Sequence, residues 1–241
     1  MTLDLVFQNT AHVYDLIYEF SGKDYRTESE VIEQLIRSRA PRATTLLDVA
    51  CGTGGHLVHL QQPFDVAGLD LDERMLEVAR RRLPGVELFN GDMRSFDLGR
   101  RFDAVVCLFS SIGYLPDRTA LVEAIGCMSR HLVDGGVLVV DGWVRPSAWR
   151  DPGTLHVVSG TRDGLAVARV VRTERQGMKT ILELHHLVGS ASSVDHLVDR
   201  LELTLFTDQE YRDAFVAAGL QVELEESPMA DRDRYVGTKP S

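Results

Sequence analysis

The sequence predicts an α/β protein: a doubly wound, mostly parallel sheet with an inserted antiparallel β-sheet cap. Three observations lead there. Short apolar runs alternate with amphipathic helical stretches between residues 44 and 143, the pattern of parallel strands joined by crossover helices. A Gly-rich turn, Gly52-Thr53-Gly54-Gly55, follows the first of these runs, at the place where such sheets bring bare backbone close to a ligand. From about 154 to 206 the hydrophobic period falls to two, the period of strands.

Taken in chain order, residues 1–40 read as helical. Tyr14, Ile17 and Tyr18 share one face, Val31, Ile32, Leu35 and Ile36 form a second stripe, and Ser21-Gly22-Lys23-Asp24-Tyr25 is the turn between them. Strands are expected at 45–50, 65–70, 86–89, 102–109 and 137–140. Residues 72–83 place Met75, Leu76, Ala79 and Leu83 on one helical face, with Asp72 as cap. Pro116-Asp117 opens another helix, with Asp117 as N-cap and Leu121, Ile125, Met128 and Leu132 at helical spacing. In the period-two segment, Leu182, Leu184, His186 and Val188 alternate with Ile181, Glu183, His185 and Leu187. Thr207-Asp208-Gln209-Glu210 fits a capping box, Tyr211, Ala214, Phe215 and Ala218 form the stripe, and Gly219 stops the helix. Strands at 221–225 and 235–238 complete the chain. The expected division is a ligand-binding α/β domain of 1–153 and 207–241, with 154–206 as the β cap serving the substrate site or a dimer interface.

Charge and composition narrow the partners. Asp and Glu number 36 against 26 Lys and Arg, a net charge of -10 that repels a phosphate backbone, so no nucleic acid is expected. Arg80-Arg81-Arg82 reads as a solvated helix surface. No apolar run approaches the roughly 20 residues that span a bilayer, so no membrane partner is expected. The start Met-Thr-Leu-Asp lacks a basic segment followed by an apolar core, and the odd count of 3 cysteines suits reduced, buried thiols. Both point to a cytoplasmic protein. Cys51 has no base placed to activate it.

The residues at the expected carboxyl ends of the strands carry the chemistry. A dinucleotide fingerprint would need a third glycine at position 57, where Leu57 stands, which speaks against a NAD-linked oxidoreductase. The pattern is instead D-x-A-x-G-x-G, with Asp48 four residues before Gly52. That acid suits a ligand bearing an ammonium and a sulfonium, and is wrong for a pyrophosphate. Asp48 can attract the ammonium directly or through water, while Gly52 and Gly54 permit close approach. Asp70 ends the second run, 22 residues after Asp48, and can accept both ribose hydroxyls, with Leu71 and Met75 bordering an adenine. In Gly91-Asp92-Met93, Asp92 can take the exocyclic amine and Met93 can pack on the ring. After the fourth run, Phe109 can wall the cofactor while Ser110, Ser111 and Tyr114 face the acceptor. Methyl transfer from a sulfonium is an in-line displacement that demands alignment and dryness rather than a strong base. No metal is expected: His185 and His186 are adjacent on a strand and point to opposite faces. Trp149 reads as packing in the cap.

The loop from Leu46 resembles the first motif of class I S-adenosylmethionine (SAM) methyltransferases, whose fold is Rossmann-like. Over most of its length the chain resembles the TDP-3-amino-3,6-dideoxyhexose N,N-dimethyltransferases of desosamine and mycaminose biosynthesis. The marks are Val13-Tyr14-Asp15-Leu16, Gly22-Lys23-Asp24-Tyr25, LLDVACGTG, GDMR, FSSIG from Phe109, the strand ending in Leu203-Thr204-Leu205-Phe206, and Ala217-Ala218-Gly219-Leu220. The resemblance implies a SAM-dependent N-methyltransferase that yields S-adenosylhomocysteine, acts on an amino sugar in antibiotic biosynthesis and pairs as a homodimer. It places Tyr25, Ala50, Asp70, Asp92 and Met93 on the cofactor. It places Tyr14, Trp143, Arg169 and Arg232 on a nucleotide sugar, whose diphosphate suits the planar guanidinium fork. Tyr14 and Tyr114 would orient the amine. The chain departs from that family in three places: Tyr114 stands where it has His, Val144-Arg145 interrupt a Trp-Trp-Phe-Pro segment, and Asp231-Arg232-Asp233-Arg234 replaces Gly-Arg-Gly. O- or C-methylation, and an amine on an antibiotic scaffold, stay open at this point.

Overall fold

The computed structural model describes residues 10–11, 13–150, 156–226 and 232–241. The expected boundary at 153/154 and Asp231 fall outside these residues. Helices α1 (Tyr14–Phe20) and α2 (Tyr25–Arg39) lead into alternating strands and helices: β1 (Thr45–Val49), α3 (Leu57–Leu60), β2 (Asp65–Asp70), α4 (Glu73–Arg82), β3 (Glu87–Asn90), β4 (Phe102–Cys107), α5 (Arg118–Arg130) and β5 (Leu132–Val144). A meander β6 (His156–Arg162), β7 (Leu165–Gln176), β8 (Lys179–Gly189) and β9 (Val194–Thr204) follows. The chain then returns through α6 (Asp208–Ala217), β10 (Gln221–Glu226) and β11 (Arg232–Thr238).

The main sheet has seven strands in the order β10-β11-β5-β4-β1-β2-β3, all running one way except β11, which is antiparallel to both its neighbours. Its strands are apolar on both sides because both sides are covered. Alternate residues serve different layers. Leu47, Val49, Val105, Cys107, Leu138 and Val140 pack toward α5 and α6. Leu46, Val66, Ala104, Val106, Val137 and Val139 pack toward α2, α3 and α4. Strand order reverses between β1 and β4, which opens the crevice where open α/β sheets bind ligands.

The second sheet is antiparallel throughout, β6-β7-β8-β9. Its inner side meets α1 and the crevice: Val167 and Val188 pack on Val13 and Ile17, while Val171, Leu184, Leu201 and Leu203 join Met75, Tyr14, Tyr114 and Trp143.

Caps stand where the sequence puts them. Asp72 and Asp117 cap α4 and α5, and Thr207 with Glu210 forms a capping box on α6. Three expectations need correction. Leu132 opens β5 instead of closing α5: His131, holding the Leu98 N–H at 3.1 Å and bonded to the Cys127 carbonyl, ends that helix first. Strand β4 stops at Cys107, because Phe109 (φ 55°) and Ser110 (φ 63°) turn left-handed. Arg82 is not merely solvated, since it donates to the Thr53 carbonyl and pairs with Asp15, tying α4 to the Gly-rich loop and α1.

Candidate active site

A cavity of about 560 Å³ lies between the carboxyl ends of the parallel strands and the inner side of the second sheet. That falls within the ~300–1,000 Å³ of small-molecule sites. Tyr14, Ala50, Gly52, Asp70, Leu71, Met75, Met93, Phe109, Ser111, Tyr114, Trp143, Arg169 and Arg232 all reach its wall, although they come from four strands, two α-helices and the loops and turns between elements.

At one end, β1 breaks at Ala50, which takes a left-handed φ of 61° and swings the next peptides across β2. The Gly52 N–H then donates to Asp70 at 2.7 Å, and the Asp72 N–H donates to the other Asp70 oxygen at 2.8 Å. Burial pushes the Asp70 carboxyl up to about 6, against the pull of these two amides. Gly54 has φ +77°, and a Cβ there would sit 2.7 Å from Leu83, so the loop lies flat on α4 only with glycine.

Three cofactor candidates stand behind the wall rather than on it. The Tyr25 ring occupies the space a side chain at Gly55 would need and meets His56 edge-on at 4.9 Å. Asp48 lies beneath the loop with 2% of its surface exposed, and burial, then the charges of Asp70 and Asp141, hold its carboxyl well above the usual range. Gly54 shapes the turn from below. Asp92 also departs from the sequence reading. Its carboxylate is clasped by its own loop neighbour, Arg94, whose backbone and Nε donate at 2.9 and 3.0 Å. The three acids Asp48, Asp70 and Asp92 therefore do not form one cluster. Asp70 alone of them lines the cavity, and the Asp92 carboxylate is held by Arg94 beside the wall residue Met93.

The middle of the cavity rests on a strained turn. Phe109 and Ser110 hold consecutive left-handed conformations, each costing on the order of 1 kcal/mol. A buried network holds them there: Asp141 accepts the Phe109 N–H at 3.1 Å and the Arg234 Nε–H at 2.7 Å, and Ser110 Oγ donates to the Gly142 carbonyl at 2.7 Å. The Lys23 ammonium sits 3.6 Å from the Phe109 ring centroid and pairs with Glu28, which also bonds His56. Burial lowers the Lys23 pKa. Tyr18 meets the Phe109 ring edge-on at 5.0 Å.

The far end is aromatic and cationic. Arg232 stacks on Trp143 at 4.5 Å and donates to Ser110 Oγ at 3.3 Å. Arg169 lies over Tyr18 at 4.8 Å and donates to Ser21, yet its buried Nε has no hydrogen-bond partner. Trp149 is a wall residue rather than packing in the cap, and its Nε1 is likewise buried and unpartnered. The Asp233 carboxylate lies 3.2 Å from Arg145 and off the cavity wall. A register shift between Arg232 and Arg234 aims the two arginines differently, one at the cavity and one at Asp141. Burial drives the Tyr14 and Tyr114 hydroxyls far up, so both stay protonated.

Tyr18, Lys23 and Asp141 escaped the sequence reading as site residues. A signal existed for two of them. Tyr18 follows Tyr14 by one helical turn and so shares its face. Asp141 ends the apolar run of β5, as Asp70 ends that of β2. Nothing local marks Lys23, whose ring partner lies 86 residues away.

SAM fits what is present. Asp70 is an acceptor at the end of β2 beside the bare Gly52 backbone, Met75, Met93 and Leu71 give an apolar slot, and the wall beyond joins aromatic and apolar side chains to Arg169 and Arg232. Comparison with known proteins agrees. A family described as a methyltransferase domain matches residues 46–136. A Streptomyces venezuelae dTDP-3-amino-3,4,6-trideoxy-alpha-D-glucopyranose N,N-dimethyltransferase is 48% identical, over 94% of this chain and 96% of its own length. The crystal structure of Streptomyces venezuelae DesVI matches with a TM-score of 0.92 at 46% identity, covering 97% of this chain and 99% of that one. SAM-bound CalS10, an amino pentose methyltransferase from Micromonospora echinaspora, matches with a TM-score of 0.86 at 41% identity, covering 99% and 100%.

Proposed function

The chain belongs to the amino-sugar N,N-dimethyltransferases of the class I SAM-dependent methyltransferases, and from that premise we propose that it methylates the amine of a deoxyamino sugar carried on a nucleoside diphosphate. The observation that carries this reading is the two-ended cavity. Asp70 and an apolar slot lie at one end, and two guanidinium groups stand at the other: Arg169, whose buried Nε has no hydrogen-bond partner, and Arg232, stacked on Trp143.

The cofactor, when bound, supplies an electrophilic methyl group on a sulfonium sulfur. The chain does the rest. The Gly52 amide fixes Asp70 so that its oxygens meet the ribose hydroxyls, and Leu71, Met75 and Met93 enclose the purine. Phe109, held in its strained turn by Asp141 and Lys23, walls the region where the two ligands meet. Arg169 and Arg232 anchor the diphosphate. Their charges, with that of Lys23, also raise the cost of a second cation nearby, so the acceptor amine is kept neutral and its lone pair free. The hydroxyls of Tyr14 and Tyr114 remain protonated and orient that lone pair. As the N–C bond forms and the C–S bond breaks, the amine proton passes to solvent, and no side chain need be basic. Two methyl additions, action as a homodimer and a place in the cytoplasm complete the reading. The thiols of Cys51, Cys107 and Cys127 are free and buried, and no helix among the described residues is long and apolar enough to cross a membrane.

The test is mass analysis of products from methyl-labelled SAM and a panel of TDP-linked 3-amino and 4-amino deoxysugars. Two methyl increments on one of them are expected. No turnover on any amino sugar would overturn the assignment.

A further inference from the structure

We propose that His186 is a positioning residue for the acceptor, the middle member of a relay that runs from Asp199 through His186 to Arg169. The inference rests on the reading of Arg169 as an anchor for the diphosphate and adds what holds that anchor. The three residues stand on β9, β8 and β7, and all are buried on the inner side of the second sheet. Arg169 pairs with His186 in register, and Asp199 lies one diagonal step beyond, opposite Leu184. Paired residues hold their Cβ atoms about 4.5–5.5 Å apart, and diagonal neighbours stay within reach of long side chains.

A histidine in this place is costly as it stands. Its neighbours along the strand face, Leu184 and Val188, are aliphatic, and His186 is 1% exposed. Buried polar atoms are as a rule hydrogen-bonded, yet neither ring nitrogen of His186 has a hydrogen-bond partner. Nε2 lies 3.3 Å from Asp199 Oδ2, near enough for an ion pair but out of line for a hydrogen bond. Asp199 is itself anchored, because Thr10 Oγ1 donates to the same oxygen at 2.6 Å. A carboxylate only accepts, so the nitrogen facing it carries the hydrogen, and in a neutral ring Nδ1 is then an acceptor. Across the strand, Arg169 Nε is a buried donor without a partner. An orphaned acceptor and an orphaned donor thus occupy paired positions. The other unpartnered buried acceptors among the described side chains belong to Asp208 and Asp233, on α6 and β11.

The guanidinium meanwhile leans on α1, over Tyr18 at 4.8 Å and bonded to Ser21 at a long 3.3 Å. A diphosphate that takes its terminal nitrogens turns the plane. Arg169 Nε–H then meets His186 Nδ1, and His186 Nε2–H comes into line with Asp199. The relay holds the planar fork toward the phosphate oxygens, where its geometry matches theirs. Rotation of side chains is all that closure needs, and no proton changes hands.

The test is a double-mutant cycle on the full chain, read as the dissociation constant of TDP by calorimetry and as acceptor KM and kcat by steady-state kinetics. His186→Phe keeps a ring and removes both nitrogens. TDP affinity should fall and the acceptor KM rise about fivefold, the worth of one hydrogen bond, with kcat, SAM affinity and melting temperature at wild-type values. In an Arg169→Met background the same change should do nothing, since the relay has lost its end. His186→Asn, with an amide oxygen near the place of Nδ1, should recover most of the loss. Unchanged TDP affinity in His186→Phe, an equal loss in both backgrounds, or an asparagine variant no better than phenylalanine would overturn the relay. If His186→Phe does not fold, His186→Asn carries the test: near-wild-type TDP affinity supports the relay, and a loss that persists with Arg169→Met overturns it. TDP binding that ignores Arg169→Met would instead strike the diphosphate reading itself.

Discussion

The two ends of the cavity are built in opposite ways. At the Asp70 end and beneath the middle of the cavity, polar groups are hydrogen-bonded before anything binds: Asp70 holds two amides and Asp141 holds an amide and a guanidinium. At the acceptor end, Arg169 Nε and Trp149 Nε1 are buried without partners. A buried donor left unmet costs about 1–3 kcal/mol, and a ligand that supplies acceptors recovers it. One end is thus organised in advance for a fixed ligand, while the other gains its order from whatever oxygen-rich group arrives.

If that contrast holds, perturbations should separate cleanly. The largest effect is expected at Arg169→Met, which removes charged hydrogen bonds of about 1.5–3 kcal/mol. The acceptor KM should rise on the order of 10- to 100-fold with SAM affinity unchanged, as steady-state kinetics and calorimetry would show; a loss of SAM binding would erase the distinction between the ends. Next, Asp70→Asn should weaken SAM by about 1–3 kcal/mol.

The same carboxyl gives a pH test. Its folded-state value is raised to about 6, so the ionised form prevails above that value and is lost as pH falls through it. SAM affinity should therefore decline below about pH 6, by up to about tenfold per unit, and the decline should vanish in Asp70→Asn. In linkage terms the protein binds a proton here that the unfolded chain releases, so this group favours folding as pH falls from about 6 toward 4. Smallest is Tyr114→Phe, where loss of one neutral hydrogen bond of about 1 kcal/mol should slow turnover roughly fivefold. An unchanged kcat would leave Tyr14 alone to orient the amine.

Much of the cofactor end was legible before folding. The Gly-rich loop follows β1, Asp70, Leu71 and Met75 follow one another at the end of β2 and the start of α4, and β2 has only to end where its apolar run ends. The acceptor end was legible only through resemblance. Arg169 and Arg232 sit in unremarkable strands, and what makes them matter is the approach of Tyr18 and Trp143 from elements far off in sequence.

The amino-acid order determined the layering of this protein, its helix caps and the Gly-rich turn at the cavity, because each of these is decided within a few residues by periodicity, side-chain size and backbone freedom. Only the folded chain decided that Asp92 turns to Arg94, that Tyr25 lies on Gly55, that Lys23 caps Phe109 and that Asp141 braces a strained turn. Those outcomes depend on which strands become neighbours and which side of each is covered. A side chain's direction is a property of that packing, and no local pattern encodes it.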